Sequence, residues 1–264
     1  PKFTQNLWYA TSDRGLAALV YAPSQVSAQV ADGKMVSILQ ESNYPFTETV
    51  HFRLTCEQDV EFPLHLRVPT WCERASVTVN EQPLEIAATN QILKIERRWK
   101  DGDVVKLHLP MRLRLSRWHE NSVAVERGPL TYALKIDAEW NKVENTRDPV
   151  RYGDSYYEVR PKSPWNYGLL QTPEDKLSDV LVVKASDEVA SFPWNEANAP
   201  VQITAKARRL PQWQLYNESA GPLPFSVQHG QRASDDIEEI TLIPYGCTVL
   251  RISEFPVVGR YSVD

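Results

Sequence analysis

Histidines and cysteines are the residues best able to hold a metal, and here their spacing argues against one. A hydrolytic metal site takes three or four ligands, usually two of them close in sequence. Of His51, His65, His108, His119 and His229, only His119 has a carboxylate neighbour, Glu120. His51, His65 and His108 fall on the polar phase of alternating segments, which gives them solvent-facing or cross-strand roles. Cys56, Cys72 and Cys247 are far apart, with no paired spacing, and read as buried free thiols. No Gly-x-Ser-x-Gly or Cys-His-Asn arrangement supplies a nucleophile, and 10 glycines in 264 residues offer no phosphate-cradling loop. Glu126 stands on the polar phase of Val123-Ala124-Val125-Glu126-Arg127, beside Arg127 and before the Gly128-Pro129 turn, so an ion pair is its expected role.

The aromatic residues are more suggestive. The chain has 8 Trp, 11 Tyr and 7 Phe, and many fall in its later, loop-rich part. An aromatic face stacks on the apolar face of a sugar ring, while nearby amides and carboxylates take the hydroxyls. Trp165-Asn166-Tyr167 and Trp194-Asn195-Glu196 have that local make-up. Trp165, Asn166, Tyr167, Trp194 and Asn195 are therefore the candidate carbohydrate-binding residues; the competing reading is that these tryptophans pin long loops onto a core.

The elements that must position them are strands. In residues 62–68, Phe62, Leu64, Leu66 and Val68 alternate with Pro63, His65 and Arg67, the pattern of a half-buried strand. Pro63 lacks a backbone donor, which places that strand at a sheet edge. The alternation recurs at Val50-Phe52-Leu54, Ala75-Val77-Val79, Val105-Leu107-Leu109, Tyr132-Leu134-Ile136 and Thr248-Leu250-Ile252. Asp32-Gly33, Asn80-Glu81, Asp101-Gly102-Asp103, Gly128-Pro129 and Tyr245-Gly246 punctuate it as turns. Regular strands are expected over 237–243 and 247–252, and irregular chain over 147–166 and 191–200. Helical signals amount to one turn after Thr172-Pro173 and a helix end over residues 3–9. The expected fold is all-β: two antiparallel, jelly-roll-like β-sandwich domains with a short N-terminal helical remnant. Residues 1–11 would end a preceding helical domain, 12–116 form the first sandwich, and 117–264 a second, loop-rich one.

Composition narrows the partners. The net charge of −5 leaves no basic surplus for phosphates, so nucleic acid is not an expected partner. Apolar runs such as 16–21 and 181–183 fall far short of the roughly 18 residues needed to cross a bilayer. The chain opens on Pro1 without a charged start or apolar stretch, which reads as an internal start.

Five segments together resemble the C-terminal half of bacterial glycoside hydrolases of the zinc-dependent β-L-arabinofuranosidase family. They are Leu66-Arg67-Val68-Pro69-Thr70-Trp71-Cys72, then Ile95-Glu96-Arg97-Arg98-Trp99-Lys100-Asp101-Gly102-Asp103, then Val125-Glu126-Arg127-Gly128-Pro129-Leu130, and last Ile243-Pro244-Tyr245-Gly246-Cys247, with the strand 75–80 following the first. The resemblance implies an N-terminal α/α barrel carrying a cysteine nucleophile, a glutamate acid/base and a cysteine- and glutamate-bound zinc, followed by two β-sandwiches. The adjacent cysteines of that barrel are not in this sequence, so no catalytic or metal-binding residue carries over, and zinc is expected only with the barrel. Two functions follow as expectations. The chain is a non-catalytic C-terminal part of a glycosidase acting on arabinose-containing or related plant glycans, supporting its barrel and a homodimer; alternatively it is a free-standing carbohydrate-binding module. In the first case residues 3–9 leave an apolar patch around Phe3, Leu7, Trp8 and Tyr9, and the chain alone hydrolyses no glycoside.

Overall fold

The computed structural model describes residues 2–86, 88, 91–186, 188–226 and 233–260. The chain divides into two compact units between Arg112 and Leu113. Both are built from strands, and no described helix is long and apolar enough to cross a membrane.

In the first unit the period-two pattern lays apolar side chains on one face of each strand, and two sheets close over them. One sheet orders Trp8–Ala10, Leu16–Ala18, Val60–Arg67 and Ile92–Trp99. The other orders Ser24–Val30, Lys34–Glu41, Thr49–Cys56, Val104–His108, Ser76–Val79 and Gln82–Leu84. Phe52, Phe62, Leu64, Leu66, Val105 and Leu107 are all buried in one cluster. Trp99, fully buried, packs on Phe62 with ring centroids 5.8 Å apart, and its indole N–H donates to the Phe62 carbonyl at 2.9 Å. A buried indole needs such a partner, because an unpaired polar group in a core costs stability.

Two expectations are corrected here. Val60–Arg67 is an interior strand, with a parallel neighbour in Leu16–Ala18 and an antiparallel one in Ile92–Trp99. Pro63 is tolerated because pairing to Leu16–Ala18 begins only at Leu64. The preceding Gly15 lies so close that a Cβ there would sit 2.0 Å from the Pro63 carbonyl oxygen, a position only glycine can occupy. Residues 3–9 form one 3-10 turn, Thr4–Asn6, and then the strand Trp8–Ala10, which joins the first sheet. Leu7 is buried and the Trp8 indole N–H donates to Ser24 Oγ at 3.2 Å, so only Phe3 and Tyr9 of the expected patch are exposed. The strand Leu113–Arg117 belongs to the second unit, where it pairs with Val123–Arg127.

The second unit is organised by one eight-stranded sheet. It orders Leu113–Arg117, Val123–Arg127, Leu130–Leu134, Glu238–Pro244, Val201–Arg209, Tyr167–Gln171 and Val257–Arg260, with Leu181–Ala185 paired to the other half of Val201–Arg209. A bridge between Val123 and Phe255 ties the far end back to the second strand, so the sheet curls on itself around Tyr132, Leu134, Ile203, Leu242 and Phe255. Residues 247–252 are not a strand: a 3-10 turn, Tyr245–Cys247, redirects the chain after Pro244. Nor are residues 147–166 irregular throughout. Ala138–Glu144 and Ser155–Pro161 pair as a separate two-stranded hairpin, with a short helix at Pro149–Tyr152 in its connection. The signal after Thr172 gives the 3-10 helix Glu174–Asp179.

Candidate functional site

The first tryptophan motif leads directly into the strand Tyr167–Gln171, and two of its three residues turn their polar atoms inward. The Tyr167 hydroxyl donates to Glu238 Oε2 at 2.7 Å. Burial, and then the Glu238 carboxylate, push its pKa up to about 12. Asn166 donates from Nδ2 to the carbonyls of Leu210 and Trp213, at 2.9 and 3.0 Å, and its Oδ1 accepts from Arg209 Nε at 3.2 Å. The Arg209 guanidinium also lies 5.3 Å over the Tyr167 ring. Asn166 and Tyr167 thus tie the chain around residue 210 to the sheet. Trp165 is half-buried and meets Trp213 edge-on, with centroids 5.1 Å apart.

The second motif builds a loop. Asn195 Nδ2 donates to the Phe192 carbonyl at 2.9 Å, while Oδ1 accepts from the backbone N–H groups of Ala197 and Asn198. Trp194, 39% exposed, covers Gly246, where a Cβ would stand 2.9 Å from the indole ring. Beneath it the Cys247 thiol donates to the Pro193 carbonyl at 3.4 Å. The competing, loop-pinning arrangement describes these contacts.

Of the five candidates, Trp165 lines a cleft of about 620 Å³. One wall is the end of the large hairpin at residues 158–161. The opposite wall is a small hairpin, Leu215–Tyr216 paired with Ser219–Ala220, and residues 249–252 complete the lining. Arg160 stands between two carboxylates, with Nη2 3.7 Å from Glu158 and 3.5 Å from Glu218. Arg251 Nε donates to the Tyr245 and Thr248 carbonyls, and its guanidinium lies 4.7 Å over the Tyr245 ring. Sequence reasoning missed Arg160, Glu218 and Arg251. The one signal available was Asn217-Glu218, the same dipeptide as the turn at Asn80-Glu81. Both pairs sit at positive φ, as a two-residue hairpin turn requires.

The groups considered for catalysis have structural surroundings. Glu126 pairs across the strands with Arg114, Oε2 to Nη2 2.6 Å, and accepts from Ser116 Oγ at 3.0 Å. Arg114, not the expected Arg127, is the partner because adjacent strand residues point to opposite faces while register-matched ones share a face. His65 meets Asp13 at 3.1 Å, His108 lies 3.9 Å from Glu48, and His119 lies 3.3 Å from Glu120; His51 is exposed. His229 lies outside the described residues. The three cysteines are free and buried, and burial raises each thiol's pKa, that of Cys247 to about 11. A protonated thiol is a poor nucleophile and a poor ligand. Among the described residues no three His, Cys, Asp or Glu side chains gather as a metal-binding group. These residues do not make the cysteine- and glutamate-bound zinc site that the family resemblance places in the barrel.

The motifs behind the resemblance are fold-making ones. Trp99 anchors the first core. Asp103 is buried after Gly102 and accepts from Asn80 Nδ2 and the Lys100 N–H. Gly246 lets Trp194 close over the 3-10 turn. Such a chain is a two-unit, sandwich-like all-β protein. Residues 15–111 match the family model of the β-L-arabinofuranosidase GH127 middle domain. The chain is GH127-like, and its first unit corresponds to that middle domain.

Solved structures agree over nearly the whole chain. A GH127 β-L-arabinofuranosidase from Geobacillus stearothermophilus T6 matches with 26% identity and a TM-score of 0.64, over 98% of this chain and 35% of that one. A structure described as a glycoside hydrolase matches with 25% identity and a TM-score of 0.62, over 94% of this chain and 36% of that one. A GH127 β-arabinofuranosidase shares the fold at 22% identity, with a TM-score of 0.60, over 94% of this chain and 37% of that one. The chain therefore spans about a third of the length of the proteins it matches. No curated protein matches it.

Proposed function

We propose that this chain is a non-catalytic β-sandwich part of a glycoside hydrolase acting on arabinose-containing or related plant glycans. It works beside an N-terminal α/α barrel that carries the nucleophile, the acid/base and the zinc. The observation that carries this reading is the match of 98% of this chain to 35% of a GH127 β-L-arabinofuranosidase. The chain's own thiols support it, since all three are buried and burial raises the pKa of each. Hydrolysis needs an activated nucleophile and a proton donor within hydrogen-bond reach of one bond. Glu126, the sequence's best-placed carboxylate, is instead engaged by Arg114 and Ser116. What a sandwich supplies is a rigid surface on which a barrel can seat, and pairing of two copies through Phe3 and Tyr9 belongs to the same reading.

The test is incubation of the chain with zinc and an aryl β-L-arabinofuranoside, alone and joined to a GH127 barrel. The chain alone is expected to give no turnover, the joined protein to be active, and the chain alone to self-associate in sedimentation. Turnover by the chain alone that disappears on replacing one of its cysteines or carboxylates would overturn the reading.

A further inference from the structure

The cleft beside Trp165 has properties that neither loop-pinning nor support of a barrel requires. Its 620 Å³ falls within the about 300–1,000 Å³ of small-molecule sites, room for about one or two sugar rings. Its lining mixes two kinds of surface. Trp165, Ile252 and the exposed Leu215 and Val249 form an apolar part. Glu158, Glu218, Arg160 and Arg251 form a charged part, two carboxylates against two guanidinium groups.

That balance selects the ligand's chemistry. An anion would need a surplus of positive charge, yet Arg160 lies between two carboxylates and the lining's two guanidinium groups are matched by two carboxylates. A cation would compete with Arg160 for the same carboxylates. A neutral polyol suits the arrangement: its hydroxyl protons go to the Glu158 and Glu218 oxygens, its hydroxyl oxygens accept from guanidinium N–H groups, and its C–H face lies against the apolar part. We propose that this cleft is a binding site for one or two residues of a neutral glycan, with Glu218 and Arg160 as its principal polar contacts. The site builds on the carbohydrate reading of Trp165 and moves its weight to residues outside both tryptophan motifs. Its failure would leave the pairing with a barrel untouched, since that pairing is read by turnover.

Glu218 allows a clean test. It sits at φ 62°, in the left-handed region where glycine is favoured, and its side chain is 81% exposed. Glu218→Gly therefore removes the carboxylate without straining the fold. Glu81→Gly makes the matching change at φ 66° in the first unit, at a residue that does not line the cleft, and serves as the control. The chain is titrated with arabinotriose, cellotriose, trigalacturonic acid and inorganic phosphate, followed by calorimetry and tryptophan fluorescence. A neutral trisaccharide is expected to bind in the millimolar range. Glu218→Gly and Arg160→Gln should each weaken binding about tenfold, the loss expected for one hydrogen bond to a charged group. Glu81→Gly should bind as the unaltered chain does, and all variants should keep its circular dichroism. The absence of binding by either neutral trisaccharide up to about 50 mM would overturn the proposal. So would equal binding by Glu218→Gly and the unaltered chain, or a preference for trigalacturonic acid or phosphate.

Discussion

Two antiparallel pairs of nearly equal length show how differently this chain makes a strand. Val60–Arg67 against Ile92–Trp99 lies inside the first unit, with Val60, Phe62, Leu64 and Leu66 buried and opposed by Trp99, Ile95 and Leu93 in the core. Ala138–Glu144 against Ser155–Pro161 buries none of its residues and leaves Trp140, Tyr156 and Tyr157 about half exposed. The first pair is held by area removed from water. The second is held by its own backbone ladder, by Trp140 edge-on to Tyr157 at 5.8 Å, and by its connection. There Asn145 Nδ2 donates to the Asp148 and Gly153 carbonyls, and Asp148 caps the short helix through the Arg151 N–H. Core strands give the molecule its stability, whereas the hairpin spends ordered chain on a surface and supplies one wall of the cleft.

The contrast is sharpest at Trp99. Trp99→Ala removes the largest fully buried side chain and its hydrogen bond to the Phe62 carbonyl, so it should cost about 3–5 kcal/mol, measured by urea denaturation. Tyr167→Phe probes a polar tie instead. It leaves the Glu238 carboxylate without its donor and should cost about 1–2 kcal/mol. The same hydroxyl gives an alkaline signature. Its folded pKa of about 12 lies above the ordinary 10, so its contribution is complete below pH 10 and is lost as the pH rises through 12. Melting temperatures between pH 9 and 12 should fall more steeply for the unaltered chain than for Tyr167→Phe.

On the exposed hairpin, Trp140→Ala should cost about 1 kcal/mol or less of local stability. Faster amide exchange confined to 138–161, with the main unfolding midpoint unmoved, is the expected outcome; a shift like that of Trp99→Ala would break the contrast. Smallest is Asp13, at the surface of the first unit. The Thr11 hydroxyl, outweighing the opposing effect of burial and helped by Lys94 and His65, holds its carboxyl down at about 2, below the usual 3.8. Its contribution is present above pH 3.8 and lost as the pH falls through 2. With more than a third of the side chain exposed, solvent screening keeps it below about 1 kcal/mol, and Asp13→Asn should flatten the acid limb of a pH–stability curve by that amount.

Legibility followed burial. Strands such as Thr49–Cys56 could be read directly because one face is wet and the other dry. The hairpin at 138–161 could not, since polar and aromatic residues occupy both its faces and leave no period-two signal. Residues 247–252 erred the other way: Thr248, Leu250 and Ile252 alternate, yet the Arg251 N–H bonds to the Tyr245 and Thr248 carbonyls fold that stretch into a loop. The cleft was not legible, because three of its four charged residues, Glu158, Arg160 and Arg251, carry no motif, and Glu218 carries only a turn dipeptide.

By itself the sequence determined the all-β class, the main turns and the core, because side-chain periodicity and turn chemistry act over a few residues and need no distant partner. Tertiary structure decided what depends on residues far apart in the chain. Pro63 became tolerable inside a sheet because Gly15 lies beside it. Arg114 rather than Arg127 became the partner of Glu126, because register sets which side chains share a face. Arg160, Glu218 and Trp165 came to line one cleft because two hairpins separated by some fifty residues close around it.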